Sequence, residues 1–177
     1  PLREDMATLR RQLALCRDIL GDLRAQAAEQ PRLPLQRFIA AAVERMEVLH
    51  PQRQFSLDSN IPVGSIQPPA TLQQVLVNLL DNAAQAARQQ VAIRARDQDG
   101  LCIIEIEDDG PGIAPEIAGR LGQAFVSSRD DGLGLGYFLS HATINQMGGQ
   151  IHLKALKPHG TLTELRLPWS VLQREPS

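Results

Sequence analysis

Aromatic residues are scarce: one Trp, one Tyr and four Phe in 177 residues, of which 43% are hydrophobic. Aliphatic side chains must therefore supply the core. A surplus of one charge is also missing. Lys and Arg number 18 against 20 Asp and Glu, a formal charge of −2 with no basic block, which argues against a nucleic-acid binder built on phosphate contacts. The two cysteines, Cys16 and Cys102, stand in unrelated contexts and give neither a disulfide framework nor metal-ligand spacing. Four histidines, His50, His141, His152 and His159, are scattered and form no HxxxH or HExxH cluster. No apolar run nears the roughly 20 residues that cross a bilayer. No signal peptide opens the chain and its first residue is not Met, so a fragment is expected. The length suits one domain of ordinary size with a helical appendage, in a soluble polypeptide of a reducing compartment.

The appendage comes first. Leu2, Met6, Leu9, Leu13, Cys16, Leu20 and Leu23 alternate steps of four and three, the a/d seam of a coiled coil, with charged and polar residues between. So narrow a seam asks for another helix, and Gln30–Pro34 then reads as a break and linker. From Leu35 the pattern is mixed α/β. Helices are expected over 35–49, 70–88 and up to Gln146. Strands are expected over 53–57, 91–96, 101–107, 151–156 and 162–167. The fold class is an α/β two-layer sandwich, a sheet covered on one face by helices, with a Gly-rich loop of about 20 residues inside it. A loop that long in a compact domain is usually functional or disordered.

Three features break local rules. Asn78 and Asn82 in VLVNLLDNAAQAA flank the apolar stripe of a helix one turn apart, where their amides suit a hard cation or phosphate; Asp81 is expected on the opposite, solvent side. Asp108 follows Cys102, Ile104 and Ile106 at the period of a strand, so it closes an apolar face where a carboxylate needs a partner. Gly110 and Gly112 just beyond it are expected to leave bare backbone for a flat ligand that donates an N–H. Asp109 fits an ordinary solvent-facing turn. Third, Asp131-Gly132-Leu133-Gly134-Leu135-Gly136 leads into a helix, an arrangement of amide donors and helix dipole that suits polyphosphate. It does not follow a strand, which argues against a dinucleotide-binding βαβ unit.

In this order the three features resemble the nucleotide-binding boxes of the fold shared by gyrase, Hsp90, histidine kinases and MutL. Asn78–Ala83 resembles the histidine-kinase N box, Asp108–Ile113 the first glycine box, and Gly132–Gly136 the second. Phe125-Val126-Ser127-Ser128-Arg129 sits where such kinases carry a Phe-Phe-Thr-Thr-Lys box, and Gly160-Thr161 fits the closing Gly-Thr. The resemblance implies a Bergerat-type ATP-binding fold over residues 31–177, with a mixed sheet and an ATP lid over about 112–132. ATP and Mg2+ are the implied cofactors. Asp108 would accept the adenine amino group, with Thr161 in the same polar network. Asn82 would ligate Mg2+, and Asn78 would contact the nucleotide or the metal shell. Gly110, Gly112, Ile113, Phe125, Ser128, Arg129, Gly132, Leu133, Gly134, Leu135 and Gly136 would line the nucleotide, Arg129 reaching a phosphate in place of the usual Lys. Gln85 stands where many kinases have Lys, which removes a charge from the phosphate site. Scarce aromatics leave hydrogen bonding and aliphatic walls to hold the base.

ATP-hydrolysing relatives place a Glu at the position of Asn78. An amide is no general base, so the resemblance implies phosphoryl transfer to a protein side chain rather than hydrolysis. Residues 1–30 would be the second helix of a dimerisation and phosphotransfer bundle. The phosphoacceptor motif H-[ED]-x-x-[NTP] fits none of the four histidines, so the acceptor would lie outside this chain. Expected partners are a response regulator and a second copy through the N-terminal helix, without nucleic acid, with a membrane reached only through an upstream region of the full-length protein in the bacterial inner membrane. Leu13–Leu20 also resembles the matching helix of RegB-type (PrrB, RoxS) redox-responsive kinases. Cys16 falls at a d position there and is either a packing residue or a redox switch, and Cys102 is expected to be structural. The alternatives are a stand-alone serine kinase of the same fold, which the heptad helix argues against, and a nucleotide-gated dimerisation or binding module.

Overall fold

The computed structural model describes residues 32–58, 60, 62, 64–113 and 135–173. The heptad seam with Cys16, and Phe125, Ser128, Arg129, Gly132, Leu133 and Gly134 of the expected lid, lie outside the described residues. The elements are β1 (Leu33–Pro34), α1 (Leu35–Leu49), β2 (Gln54–Leu57), β3 (Ser65–Ile66), α2 (Ala70–Ala86), β4 (Gln90–Gln98), β5 (Leu101–Asp108), α3 (Leu135–Gln146), β6 (Gln150–Ala155), β7 (Thr161–Pro168) and α4 (Trp169–Leu172).

Proline precedes three of the helices, Pro168 doing so for the short α4. Pro34 and Pro69 are the N-cap residues of α1 and α2, at φ −59 and −55, and neither helix has a side-chain cap. The ring fixes φ near the helical value, and its missing N–H costs nothing where no intrahelical acceptor exists. α2 ends at Ala86, two residues short of the expected 88, because Ala87 turns extended at ψ 143 and feeds β4.

The sheet has five strands in the order β2-β4-β5-β7-β6 and is mixed. β2 lies parallel to β4; β4–β5, β5–β7 and β6–β7 are antiparallel. The β4–β5 hairpin turns on Asp99 and Gly100, both at positive φ. β4, β5 and β7 run one or two residues past the pattern-based bounds because the ladder continues after hydrophobic alternation has stopped, Gln98 pairing with Leu101 and Asp108 with Thr161, whereas β2 starts one residue later than expected and β6 is shifted one residue earlier.

One correction concerns the expected linker. Leu33–Pro34 is not free chain but pairs antiparallel with Ser65–Ile66, and Ile66 is fully buried. Two residues carry no periodicity, so the ladder was invisible in the pattern.

Val91, Ile93, Cys102, Ile104, Ile106, Leu165 and Leu167 face the same core as α1, α2 and α3. The largest fully buried side chains are all Leu, Ile or Met, Leu35, Met46, Leu76 and Ile104 among them, so the core is aliphatic as the composition requires. The Cys102 thiol is buried there and pushed up to about 12, by burial first and by Asp97 second, which keeps it an inert packing group. α2 packs against both α1 and α3, and that central place holds the Asn78–Asn82 flank over the sheet.

Candidate functional site

The site is built where β5 ends. Asp108 closes the covered face of that strand at 5% exposure and is the one buried charged side chain among the described residues. Its hydrogen-bond partners are donors without full charge. The Gly110 N–H donates to Oδ1 at 2.9 Å, and Thr161, its partner across the β5–β7 ladder, donates from backbone and hydroxyl. Burial raises the carboxyl above the ordinary aspartate range, and these donors pull it only part of the way back.

Glycines fuse three elements around this acid. A Cβ on Gly110 would lie 2.5 Å from the Ala86 carbonyl oxygen at the end of α2 and 2.7 Å from Asp108 Oδ1. A Cβ on Gly160 would lie 2.4 Å from the Asp108 carbonyl oxygen, at φ +105. Gly112, at φ +85, comes within 3.2 Å of the Gly160 carbonyl by the same measure. The expectation that Gly110 leaves bare backbone for a ligand is therefore corrected: that space is filled by the chain's own α2. Open space is found instead at Gly136, where a Cβ would meet nothing within 4 Å. Gly136 follows Leu135, the first residue of α3; Ile113 is half-buried.

Asn78 and Asn82 are half-buried on α2. At 1.5 Å of rise per residue they stand about 6 Å apart, and Asn82 about 6 Å before Ala86, whose carbonyl abuts Gly110. The amides thus follow one another along α2 away from the Asp108 end. Gln74 Nε2 donates to Asn78 Oδ1 at 2.8 Å.

Asp81 is 38% exposed, in keeping with the expected solvent side, but it also has partners. It is not simply solvent-facing: His50 Nε2 meets its Oδ1 at 2.7 Å, and Gln85 Nε2 donates to its Oδ2 at 2.5 Å. The end of α1 comes close on that side of α2, so Asp81 meets both a neighbouring element and water. Gln85, exposed on the last turns of α2, is engaged with this acid.

Asp109 turns the other way from its neighbour. It accepts the backbone N–H groups of Arg88 at 2.8 Å and Gln89 at 3.0 Å and so ties β5 to the α2–β4 junction. Its slight burial would raise the carboxyl, but the backbone donors outweigh that and hold it below the ordinary range. It is a structural acid, more than the plain turn residue expected.

Sequence reasoning missed His50, Arg53, Gln74 and Gly160's contact with the acid. His50 and Asp81 are 31 residues apart, and no periodicity joins a helix end to the face of the next helix. The one available signal was a polar His-Pro-Gln-Arg turn directly after a well-patterned helix.

Among the described residues no group of three or more His, Cys, Asp or Glu could hold a metal ion. The donors along α2 are amide oxygens. That set fits Mg2+, which keeps several waters and takes further oxygens from phosphates, and does not fit a cage made of protein alone.

A profile described as "Histidine kinase-, DNA gyrase B-, and HSP90-like ATPase" matches residues 67–171. The chain is 38% identical over 112 residues to the sensory histidine kinase/phosphatase NtrB of Rhodobacter capsulatus, covering 55% of this chain and 31% of the relative. It is 30% identical over 169 residues to the histidine protein kinase DivJ of Caulobacter vibrioides, covering 85% of this chain and 28% of the relative. Thus it spans under a third of either relative. Among solved structures it resembles full-length ShkA in complex with AMPPNP (TM-score 0.74, 24% identity, 99% of this chain and 38% of that one). It also resembles the mycobacterial sensor histidine kinase MprB (TM-score 0.68, 24% identity, 78% of this chain and 97% of that one). At these identities the two structures speak for the fold. The chain belongs to the histidine kinase-, DNA gyrase B- and HSP90-like ATPase family and carries the ATP-binding catalytic domain of a sensor histidine kinase.

Proposed function

We propose that this domain binds ATP with Mg2+ and transfers the γ-phosphoryl group to a histidine on a helix outside residues 1–177, for relay to an aspartate of a response regulator. The observation that carries this reading is Asp108: a carboxylate buried at a strand end, held by Thr161 and Gly110 and given no cation among the described residues. A fold does not keep such a group for stability, because burial without a counter-charge is costly. A base with an exocyclic amino group supplies the donor it lacks.

Asp108 orients adenine, with Thr161 and Gly110 holding the carboxylate in place. Asn82 and Asn78 then stand along α2 in the direction in which a triphosphate would extend. Asn82 would hold Mg2+ by its amide oxygen, and the ion would supply positive charge to offset that of the phosphates. Asn78, unable to take a proton from water, positions the phosphates rather than activating a nucleophile, so transfer rests on alignment and charge stabilisation. Leu135 and Gly136 at the open start of α3 bring backbone amides to the phosphates. In this reading residues 112–132 form the lid, in which Phe125, Ser128, Arg129, Gly132, Leu133 and Gly134 contact the nucleotide. Residues 1–30 are the second helix of a bundle that dimerises the full-length protein and links it to a membrane sensor. Cys16 on its seam would make that dimer redox-responsive in the manner of the RegB type.

The test is Asn82→Ala. Loss of Mg-dependent ATP binding with retained adenosine binding is expected, and unchanged Mg-dependent affinity would remove the metal assignment. A transfer assay with a longer chain that carries the acceptor histidine decides the reaction class. Vigorous ATP hydrolysis with no phosphohistidine formed would overturn it.

A further inference from the structure

The turn between α1 and β2 grips α2 at points the function described so far does not use. His50 Nε2 reaches Asp81 Oδ1 at 2.7 Å. Against a carboxylate oxygen, the ring nitrogen is the donor. Three residues on, the Arg53 guanidinium takes two carbonyls, Ala84 O in the last turn of the same helix from Nε at 2.9 Å and Arg88 O just beyond its end from Nη1 at 2.8 Å. The turn itself is closed: the Arg53 N–H donates to the His50 carbonyl at 2.9 Å, and the His50 N–H to Met46 O of α1 at 2.8 Å. Gln54 continues the seam by donating to Gln89 O at 2.8 Å.

These contacts fall on the part of α2 that matters for the site. Asp81 lies between Asn78 and Asn82, and its second oxygen is taken by Gln85 one turn on. Ala84 and Arg88 bracket Ala86, whose carbonyl abuts Gly110 beside Asp108. The last carbonyls of a helix have no intrahelical donors, and a guanidinium there also complements the dipole. The apolar contacts between α1 and α2 are non-directional and carry no preference of their own for one rotation and slide of α2. Directional polar bonds at two points a turn apart fix both.

We infer that the His50–Arg53 turn is a positioning clamp for α2, setting the rotation of Asn78 and Asn82 relative to the base pocket at Asp108. His50 and Arg53 act through α2 rather than by touching the nucleotide. The inference rests on the nucleotide reading above, and the experiment separates the two.

Binding of adenosine, and of ATP with Mg2+ or with EDTA, is measured by calorimetry on the full chain. In His50→Ala the Mg-dependent gain in ATP affinity falls about 5- to 20-fold while adenosine affinity stays within about twofold. Asp81→Leu gives the same loss, and the double variant is no worse than either single one. His50→Gln, whose amide nitrogen reaches as far as Nε2, recovers the gain. A merely structural role would lower the unfolding temperature and leave that ratio untouched. The clamp is overturned if folded His50→Ala keeps the full Mg-dependent gain, if adenosine loses as much as Mg·ATP, or if the two single losses add. Where His50→Ala does not fold, His50→Asn, too short to reach Asp81, is compared with His50→Gln by the same ratio. A wild-type chain with no Mg-dependent gain at all would instead overturn the phosphate-site reading, and the clamp with it.

Discussion

The two faces of the sheet use acids in opposite ways. On the face away from the helices Arg94 meets Glu107 at 2.7 Å, Arg96 meets Glu105 and Glu164 at 3.2 Å each, and Arg166 meets Glu164 at 2.5 Å. Each of these acids has a cation beside it and water within reach. Among the described residues the covered face carries one buried acid, Asp108, with backbone and hydroxyl donors and no cation, while Asp97 on the same face beside Cys102 is exposed. Ion pairs in water contribute little to stability and little to chemistry. A lone buried carboxylate costs stability, so its retention needs a reason outside folding. The contrast identifies Asp108 more sharply than the motif around it does.

The largest effect that tests this contrast is expected for Asp108→Asn. The amide turns a donor toward the base amino group, and ATP affinity is expected to fall about 100-fold or more, since sites built around one buried acceptor discriminate steeply. Stability should move the other way. Burial raises the folded-state pKa above the unfolded value, so the folded state holds more protons in the window above the ordinary aspartate range. Stability is therefore lost as pH rises through that window, and the cost persists at neutral pH. The substituted amide cannot ionise. The ligand-free variant should unfold at the same or a higher temperature than wild type at pH 7, with the gap closing toward pH 4. A variant that is destabilised at pH 7 and binds ATP normally would show Asp108 to be structural and would erase the contrast.

Next comes Gly110→Ala. The new methyl must displace the Ala86 carbonyl and Asp108 Oδ1, and overpacking against backbone is expected to cost about 2–3 kcal/mol in denaturant unfolding. Gly136→Ala is the counterpart, in the first turn of α3 with nothing within 4 Å. It should stabilise by up to about 1 kcal/mol. Equal costs at the two positions would mean that the glycines serve ligand access alone.

Asp109→Ala is smaller again. Two backbone N–H groups at the α2–β4 junction lose their acceptor, at a cost of about 1 kcal/mol, as at a lost helix cap. The carboxyl is held below its ordinary range, so the stability it contributes is present at neutral pH and fades as pH falls through that depressed value. Wild type and variant should therefore converge in acid, whereas Asp108→Asn and wild type converge from the opposite side. Two neighbouring acids with opposite pH signatures would be the cleanest support for their different roles.

How much of this could be read from the residues follows from the range of the interactions. The period-two run Cys102, Ile104, Ile106 fixed which way Asp108 points, and the apolar stripe of α2 placed Asn78 and Asn82 on one flank. Both are local regularities in which repetition carries the information. Leu33–Pro34 pairing with Ser65–Ile66 is too short to repeat. The His50–Asp81 contact joins helices at a separation of 31 residues, and Gly110's contact with Ala86 joins a strand end to a helix end. No pattern along the chain encodes contacts that exist only once two elements have packed. Asp81 shows the same limit: the helical wheel put it toward solvent, where 38% of its side chain is exposed, but nothing in the pattern put it against His50 at the end of α1.

The smallest effect is expected on the open face, at Arg96. Its guanidinium bonds Glu105 and Glu164, but it is 40% exposed, so the ion pairs themselves are worth little. Its stem has a second use. Ile103 points to this face yet is only 2% exposed, and its cross-strand partners are Arg96 on one side and Arg166 on the other. The aliphatic stems of two arginines are the natural cover for an isoleucine stranded on a charged surface. Arg96→Met keeps the stem and removes the charge, so it should cost no more than about 0.5 kcal/mol and show little salt dependence. Arg96→Ala uncovers Ile103 and should cost about 1 kcal/mol. If Met costs as much as Ala, the open face is held by its charges after all. Paired acids would then stabilise this fold, and the lone buried acid on the covered face would no longer stand out.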